Sequence, residues 1–243
     1  PPSAVAADLD RLIDASGLPD VIVGLEPLPN PAIELPSDPE VARIGRFAGP
    51  STVQVASVAC SARLSGTGFA VARDYVVTNA HVVAGASATR VRAGERTAEA
   101  VPVLFDPDLD VALLHVRGLE LPPLVLATAD PPRGAAGAVL GYPLGEGLTV
   151  VPAAVVRSIE ALGRDIYDRA PVRRDVLELR ARVERGDSGG PFVLPDGTVG
   201  GVIFAEARSD PSVGYALSPV EVATAIRPAI GRTREADTGP CLV

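Results

Sequence analysis

Apolar residues recur along this chain in two rhythms. Between positions 52 and 217 they gather into short, Val-rich runs bounded by turn formers, the spacing of strands in an all-β protein. The pattern predicts strands over 52–58, 67–72, 75–78, 100–105 and 110–116, with Ser65-Gly66 and Arg73-Asp74 read as turns. Asp130-Pro131-Pro132-Arg133-Gly134 breaks the series and reads as a link. A second set follows at 136–141, 148–158, 175–183, 191–194, 198–205 and 213–217, with Asp196-Gly197 as a hairpin turn. Helical rhythm is confined to the ends. Ser3 can cap a segment that places Val5, Leu9, Leu12 and Ile13 on one face before Gly17 stops it. A Pro-rich stretch from Pro19 to Pro39 leads into a second helix starting at Asp38-Pro39-Glu40. Val222, Ala225, Ile226 and Ile230 mark a closing helix over 219–230. Two sets of short strands and a terminal helix fit a pair of antiparallel β-barrels. The expected organisation is an extension over 1–47, a first barrel over 48–129, a second barrel with its closing helix over 130–235, and a tail over 236–243.

Composition narrows the function classes. An apolar fraction of 47% over 243 residues supports a sizeable core and excludes a disordered chain. A net charge of −8 argues against nucleic acid or an anionic membrane as the main partner. All 22 basic residues are Arg, a bias of GC-rich coding. The chain opens on Pro1, contains no Met and shows no apolar run of membrane-spanning length, so targeting or anchoring information is expected upstream. Cys60 and Cys241 form neither a metal-ligand spacing nor a CxxC pair. Two readings stand: unrelated buried thiols, or one structural disulfide in an oxidising compartment.

Three motifs carry chemistry. His81 ends TNAH at 78–81, Asp110 opens DVALL at 110–114, and Ser188 centres GDSGGP at 186–191. A serine hydroxyl is a weak nucleophile near neutral pH and needs a base within hydrogen-bond reach. An imidazole can take that proton and return it to the leaving amine, and a carboxylate can hold its tautomer and stabilise the cation that forms. Glycines around Ser188 let the N–H groups of Gly186 and Ser188 converge as an oxyanion hole. His115, alone in an apolar strand, reads as a core residue. Asp106, Asp108 and Asp110 alternate, so the residues alone leave the choice of acid open.

With those motifs in that order, the chain over roughly residues 50–230 resembles the trypsin-like, chymotrypsin-fold serine proteases. The resemblance selects Asp110, which directly precedes the hydrophobic-Ala-hydrophobic run, and implies an acyl-enzyme mechanism on protein or peptide substrates without metal or cofactor. TNAH, DVALL and GDSGG look nearer to the bacterial envelope branch that includes the HtrA proteases, in which Asp187 is expected to take backbone donors or an Arg. Only about a dozen residues follow the closing helix, so the PDZ domain of an HtrA protein is not expected here. The Lys-free composition, N-terminal extension and two distant cysteines are similar to the membrane-anchored periplasmic acid-resistance proteases of mycobacteria. That similarity implies envelope location, an upstream membrane segment and a role in acid or oxidative stress. By the same resemblance Arg182 lies at the base of the substrate pocket, so the acidic floor that selects Lys or Arg is absent. Phe204, Ala205 and Glu206 with Gly214, Tyr215 and Ala216 are expected as its walls. Two other readings stay open: a catalytically idle peptide-binding sensor, and a structural periplasmic domain of a membrane protein.

Overall fold

The structure, a computed structural model, describes residues 33–60, 62–207 and 210–242. The expected helix over 3–17 lies outside them.

Among the described residues, twelve strands form two closed, six-stranded antiparallel barrels. The first contains β1 (Thr52–Ala59), β2 (Ala62–Ala72), β3 (Tyr75–Thr78), β4 (Ala86–Ala93), β5 (Arg96–Asp106) and β6 (Val111–Val116). It closes where β1 meets β4. The second contains β7 (Ala136–Gly141), β8 (Thr149–Arg164), β9 (Pro171–Arg180), β10 (Pro191–Val193), β11 (Val199–Glu206) and β12 (Val213–Leu217), and closes where Phe192 of β10 pairs with Val139 of β7.

The alternation of side chains explains the three largest apolar clusters among the described residues. Val53, Val55, Val76, Val91 and Leu114 fill the first barrel. Val139, Val155, Leu179, Phe192 and Ile203 fill the second. The opposite faces supply a third cluster common to both barrels, with Phe69, Val77 and Leu113 from one and Leu140, Phe204 and Leu217 from the other. Strands β3 and β6 are therefore buried on both faces, which is why apolar residues follow one another without alternation at 75–77 and 111–114.

Three expectations need correction. Ser65-Gly66 is no turn: both residues lie within β2, where Gly66 pairs with Val55. A Cβ at Gly66 would lie 2.6 Å from Val82 Cγ2 and 3.0 Å from the Ser188 carbonyl oxygen, so close packing is what demands glycine there. Strand β4 was not expected, because only Thr89 and Val91 of it are buried and one of these two is polar, Thr89 Oγ1 lying 3.1 Å from Ser57 Oγ. The strand expected over 175–183 ends at Arg180, and β8 and β9 instead extend at their other ends into a long hairpin.

Helix α1 (Asp38–Ala48) buries Val41, Ile44 and Ala48 and packs on β7 and β8. Helix α2 (Pro219–Ile226) is capped by Ser218, whose Oγ accepts from Val220 N at 3.2 Å and donates to Asp130 Oδ1 at 2.5 Å. A 3-10 turn, Arg227–Ala229, replaces its expected last turn, since Pro228 has no N–H with which to continue the helical hydrogen bonds. The chain then returns to the first barrel, where Cys241 is disulfide-bonded to Cys60, 181 positions away. Among the described residues no helix is long and apolar enough to cross a membrane.

Candidate active site

Strand β3 delivers Asn79 and His81 beside Asp110, because Thr78 pairs with Ala112 at the start of β6. Asp110 is fully buried and holds a left-handed backbone, φ +63°. Asp106 builds the turn before it, its Oδ1 accepting from Asp108 N at 3.1 Å and Leu109 N at 2.9 Å. Asn79 Nδ2 donates to the Asp110 carbonyl at 2.7 Å. The carboxylate takes two donors from one residue, His81 N at 2.9 Å to Oδ1 and His81 Nδ1 at 2.8 Å to Oδ2. A buried acceptor at Nδ1 places the ring proton there and leaves Nε2 as an acceptor. The His81 side chain is 11% exposed, enough to face a substrate.

Ser188 lies in the loop between β9 and β10, one turn of which is tied internally. Asp187 N donates to the Glu184 carbonyl at 3.0 Å, Gly189 N to Ile203 O at 2.7 Å, and Gly190 N to Asp187 O at 2.8 Å. The Asp187 carboxylate accepts from Glu184 N at 2.9 Å, a backbone donor. Gly186 and Ser188 are the exceptions. Their amides have no acceptor among the described residues. Gly189 must be glycine: φ is +85°, and a Cβ would lie 2.1 Å from the Thr67 carbonyl oxygen.

The two halves meet at Thr67 of β2, which sequence reasoning missed. Thr67 N donates to Ser188 O at 2.8 Å, and Thr67 Oγ1 donates to Gly186 O at 2.7 Å. Its only sequence signal is a glycine on either side, Gly66 and Gly68. Arg174 of β9 was missed as well. It is buried, donates through Nη2 to Arg164 O at 3.0 Å, and interacts with Asp110, Asp108, Asp106 and Asp165. Burial pushes its guanidinium below the usual Arg value, and those carboxylates pull it back, Asp110 first.

The two segments expected as pocket walls lie side by side, Ala205 paired with Tyr215 and Glu206 with Gly214, and the Glu206 side chain lies outside the described residues. The Arg182 side chain is 77% exposed and paired with Glu184 at 3.0 Å. Phe204 is fully buried in the cluster between the barrels, with Tyr215, while Ala216 packs inside the second barrel. A bulge in β11 between Ile203 and Ala205 sets these directions, which residue order does not reveal. Ala205 is buried, and Gly214 faces Val183, where a Cβ would lie 2.4 Å from Cγ2.

The family profile described as "Trypsin-like peptidase domain" matches residues 66–202, which contain all three motifs. The chain belongs to the trypsin-like peptidases. Among its fellow members, Serine protease Rv3671c of Mycobacterium tuberculosis is 43% identical over 242 residues, covering 96% of this chain and 60% of the relative. This peptidase chain thus spans 60% of that curated relative's length. The "Probable periplasmic serine endoprotease DegP-like" of Pseudomonas putida is 32% identical over 223 residues, 88% of this chain and 42% of the relative. The crystal structure of the Rv3671c protease in its active form superposes with a TM-score of 0.82 at 42% identity, covering 91% of this chain and all of that one. The HtrA-type protease AlgW with a tripeptide superposes at 0.68 with 26% identity, covering 79% of this chain and 64% of that one.

Proposed function

We propose that this peptidase domain is an endopeptidase in which Ser188 is the nucleophile, His81 the general base and Asp110 the carboxylate that orients it. The observation that carries the reading is the division of labour in the 186–190 loop. Amides of Asp187, Gly189 and Gly190 are bound within the protein, while those of Gly186 and Ser188 are left to donate elsewhere. That is what an oxyanion hole requires, donors whose orientation is set before charge develops. His81 completes the chemistry, with Nδ1 engaged by Asp110 and Nε2 left to take the serine proton. Ser188 Oγ attacks the scissile carbonyl, the proton moves to Nε2 and then to the leaving amine, and water repeats the sequence on the acyl-enzyme. Peptides are the substrate class, in keeping with the HtrA-type relative crystallised with a tripeptide.

The location is extracytoplasmic, supported by periplasmic DegP-like relatives and by a disulfide, which persists in oxidising compartments. A role in acid or oxidative stress, and anchoring of a longer parent chain to the membrane, follow from the resemblance to the mycobacterial proteases. The test is Ser188→Ala. It should abolish peptide and ester hydrolysis and labelling by a fluorophosphonate, with an unchanged melting temperature, because only one oxygen atom is removed. Turnover within about tenfold of the parent would remove Ser188 from its role.

A further inference from the structure

Thr67 belongs to the first barrel, yet its amide and its hydroxyl both donate to the loop that carries the nucleophile. Its amide donates to Ser188 O at 2.8 Å. Its Oγ1 donates to Gly186 O at 2.7 Å and accepts from Tyr142 N at 2.9 Å. Its carbonyl accepts from Thr78 Oγ1 at 2.7 Å. The residue is fully buried, so water cannot stand in for any of these partners.

The consequence follows from peptide planarity. In a trans peptide the C=O and the following N–H point in opposite directions, so fixing the carbonyl aims the amide. The Gly186 amide is aimed by the Arg185 carbonyl, which accepts from Leu144 N at 2.8 Å. The Ser188 amide is aimed by the Asp187 carbonyl, which accepts from Gly190 N. Thr67 holds the neighbours of both. It fixes the Gly186 and Ser188 carbonyls, and so the peptides on either side of the Asp187–Ser188 bond. Through Tyr142 N, the same hydroxyl also holds the start of the 142–145 segment whose Leu144 amide restrains Arg185. One oxygen atom thus joins the two supports of the Gly186 amide. Gly186 itself, at φ +102°, has no side chain to resist rotation if those supports are lost.

We propose that Thr67 Oγ1 is a positioning group for the oxyanion hole, holding the Gly186–Asp187 peptide directly and the Arg185–Gly186 peptide through the 142–144 segment, so that the Gly186 N–H faces the substrate carbonyl. The inference rests on the reading of Ser188 and Gly186 given above. It assigns to the first barrel a part in transition-state stabilisation beyond the base and its carboxylate.

Thr67→Val keeps the shape and removes the hydroxyl, leaving Gly186 O and Tyr142 N without their partner. The expected result is a fall in kcat between about tenfold and the ~10²–10³-fold that losing an oxyanion donor costs, with KM within about threefold of the parent. Affinity for a peptide aldehyde, whose adduct carries the oxyanion, should fall by the same factor as kcat/KM. Thr67→Ser retains the oxygen and should restore kcat to within about threefold. Should Thr67→Val not fold, Thr67→Ala against Thr67→Ser makes the same comparison. Equal losses in the Val and Ser variants would reduce Thr67 to a packing residue, and a KM effect with kcat intact would reduce it to a binding one. Either overturns the proposal. A parent that takes no fluorophosphonate label overturns the reading of Ser188 and this one together, whereas a labelled parent matched by an equally fast Thr67→Val overturns this one alone.

Discussion

Asp110 adopts a backbone conformation that costs most L-residues about 1 kcal/mol or more, and does so with a fully buried carboxylate. Its hydrogen bonds to His81 N, His81 Nδ1 and Asn79 Nδ2 are what hold it there. Asn tolerates the same φ, so Asp110→Asn should fold. Its amide would present a donor where Nδ1–H now donates, and the imidazole would turn to the opposite tautomer. In a well-studied serine protease that exchange costs ~10⁴ in kcat, and a loss of that order is expected here. Ester turnover checks the rate, and the ¹⁵N shifts of the imidazole check the tautomer. A variant that keeps Nδ1 protonated and loses less than about tenfold would separate Asp110 from the chemistry.

The hairpin of β8 and β9 shows how an element of one barrel serves the other. Asp165 shapes its tip, its carboxylate accepting from Tyr167 N, Arg169 N and Ala170 N. Ile166 beside it packs on Ala80 and Ala84, which flank His81, and its amide donates to Pro107 O at 3.2 Å near Asp110. At the other end of the second barrel, Glu221 in the first turn of α2 accepts from Asp175 N at 2.9 Å. Burial raises its pKa, the Asp175 amide lowers it, and Asp175 and Asp130 raise it further. A raised carboxyl favours the protonated form in the folded state, so stability falls as pH climbs through the shifted value and recovers in acid. Glu221→Gln, which keeps an acceptor for Asp175 N, should therefore melt higher than the parent at neutral pH. The difference should vanish below about pH 4, where the parent carboxyl is protonated in both states. A difference that does not change with pH would exclude burial of this carboxylate as its cause.

At the scale of the whole molecule, three devices hold the barrels in register: the shared apolar cluster, the bonds of Thr67, and the returning tail. The tail seats on the first barrel, where Gly85 N donates to Thr238 O at 3.0 Å and Tyr167 Oη from the second barrel donates to the same oxygen at 3.2 Å. The disulfide closes a loop of 181 positions, for which chain entropy allows a ceiling of roughly 5 kcal/mol. Cys60→Ser should lower the unfolding free energy by about 2–4 kcal/mol. Because Gly85 and Cys241 lie against each other only four residues beyond His81, turnover should fall with it. Denaturant melts and intact mass with and without reductant measure the first, and peptide hydrolysis the second. Unchanged melting and turnover would leave the bond without a structural task.

The barrel architecture and most of its strands can be read from residue order, because a strand buried on one or both faces writes its period into the chain. The strands at 75–78, 136–141 and 213–217 begin and end where the pattern puts them. His81, Asp110 and Ser188 stand out for a related reason: each lies in a short motif whose neighbours serve the same local backbone, such as the glycines of GDSGGP. What residue order cannot carry is any property made by segments that meet only on folding. Thr67 acquires its partners from a residue 119 positions away, and nothing within its own strand names them. Strand β4 pairs with β1 and β5 and offers the core one large apolar side chain, Val91, too few for a pattern of its own. The directions of Arg182, Phe204 and Ala216 depend on where the chain leaves β9 and on a bulge in β11, which put the first in a surface ion pair and the other two side chains in core. Local pattern determines which atoms are available for chemistry; the packing of two barrels decides which of them face one another.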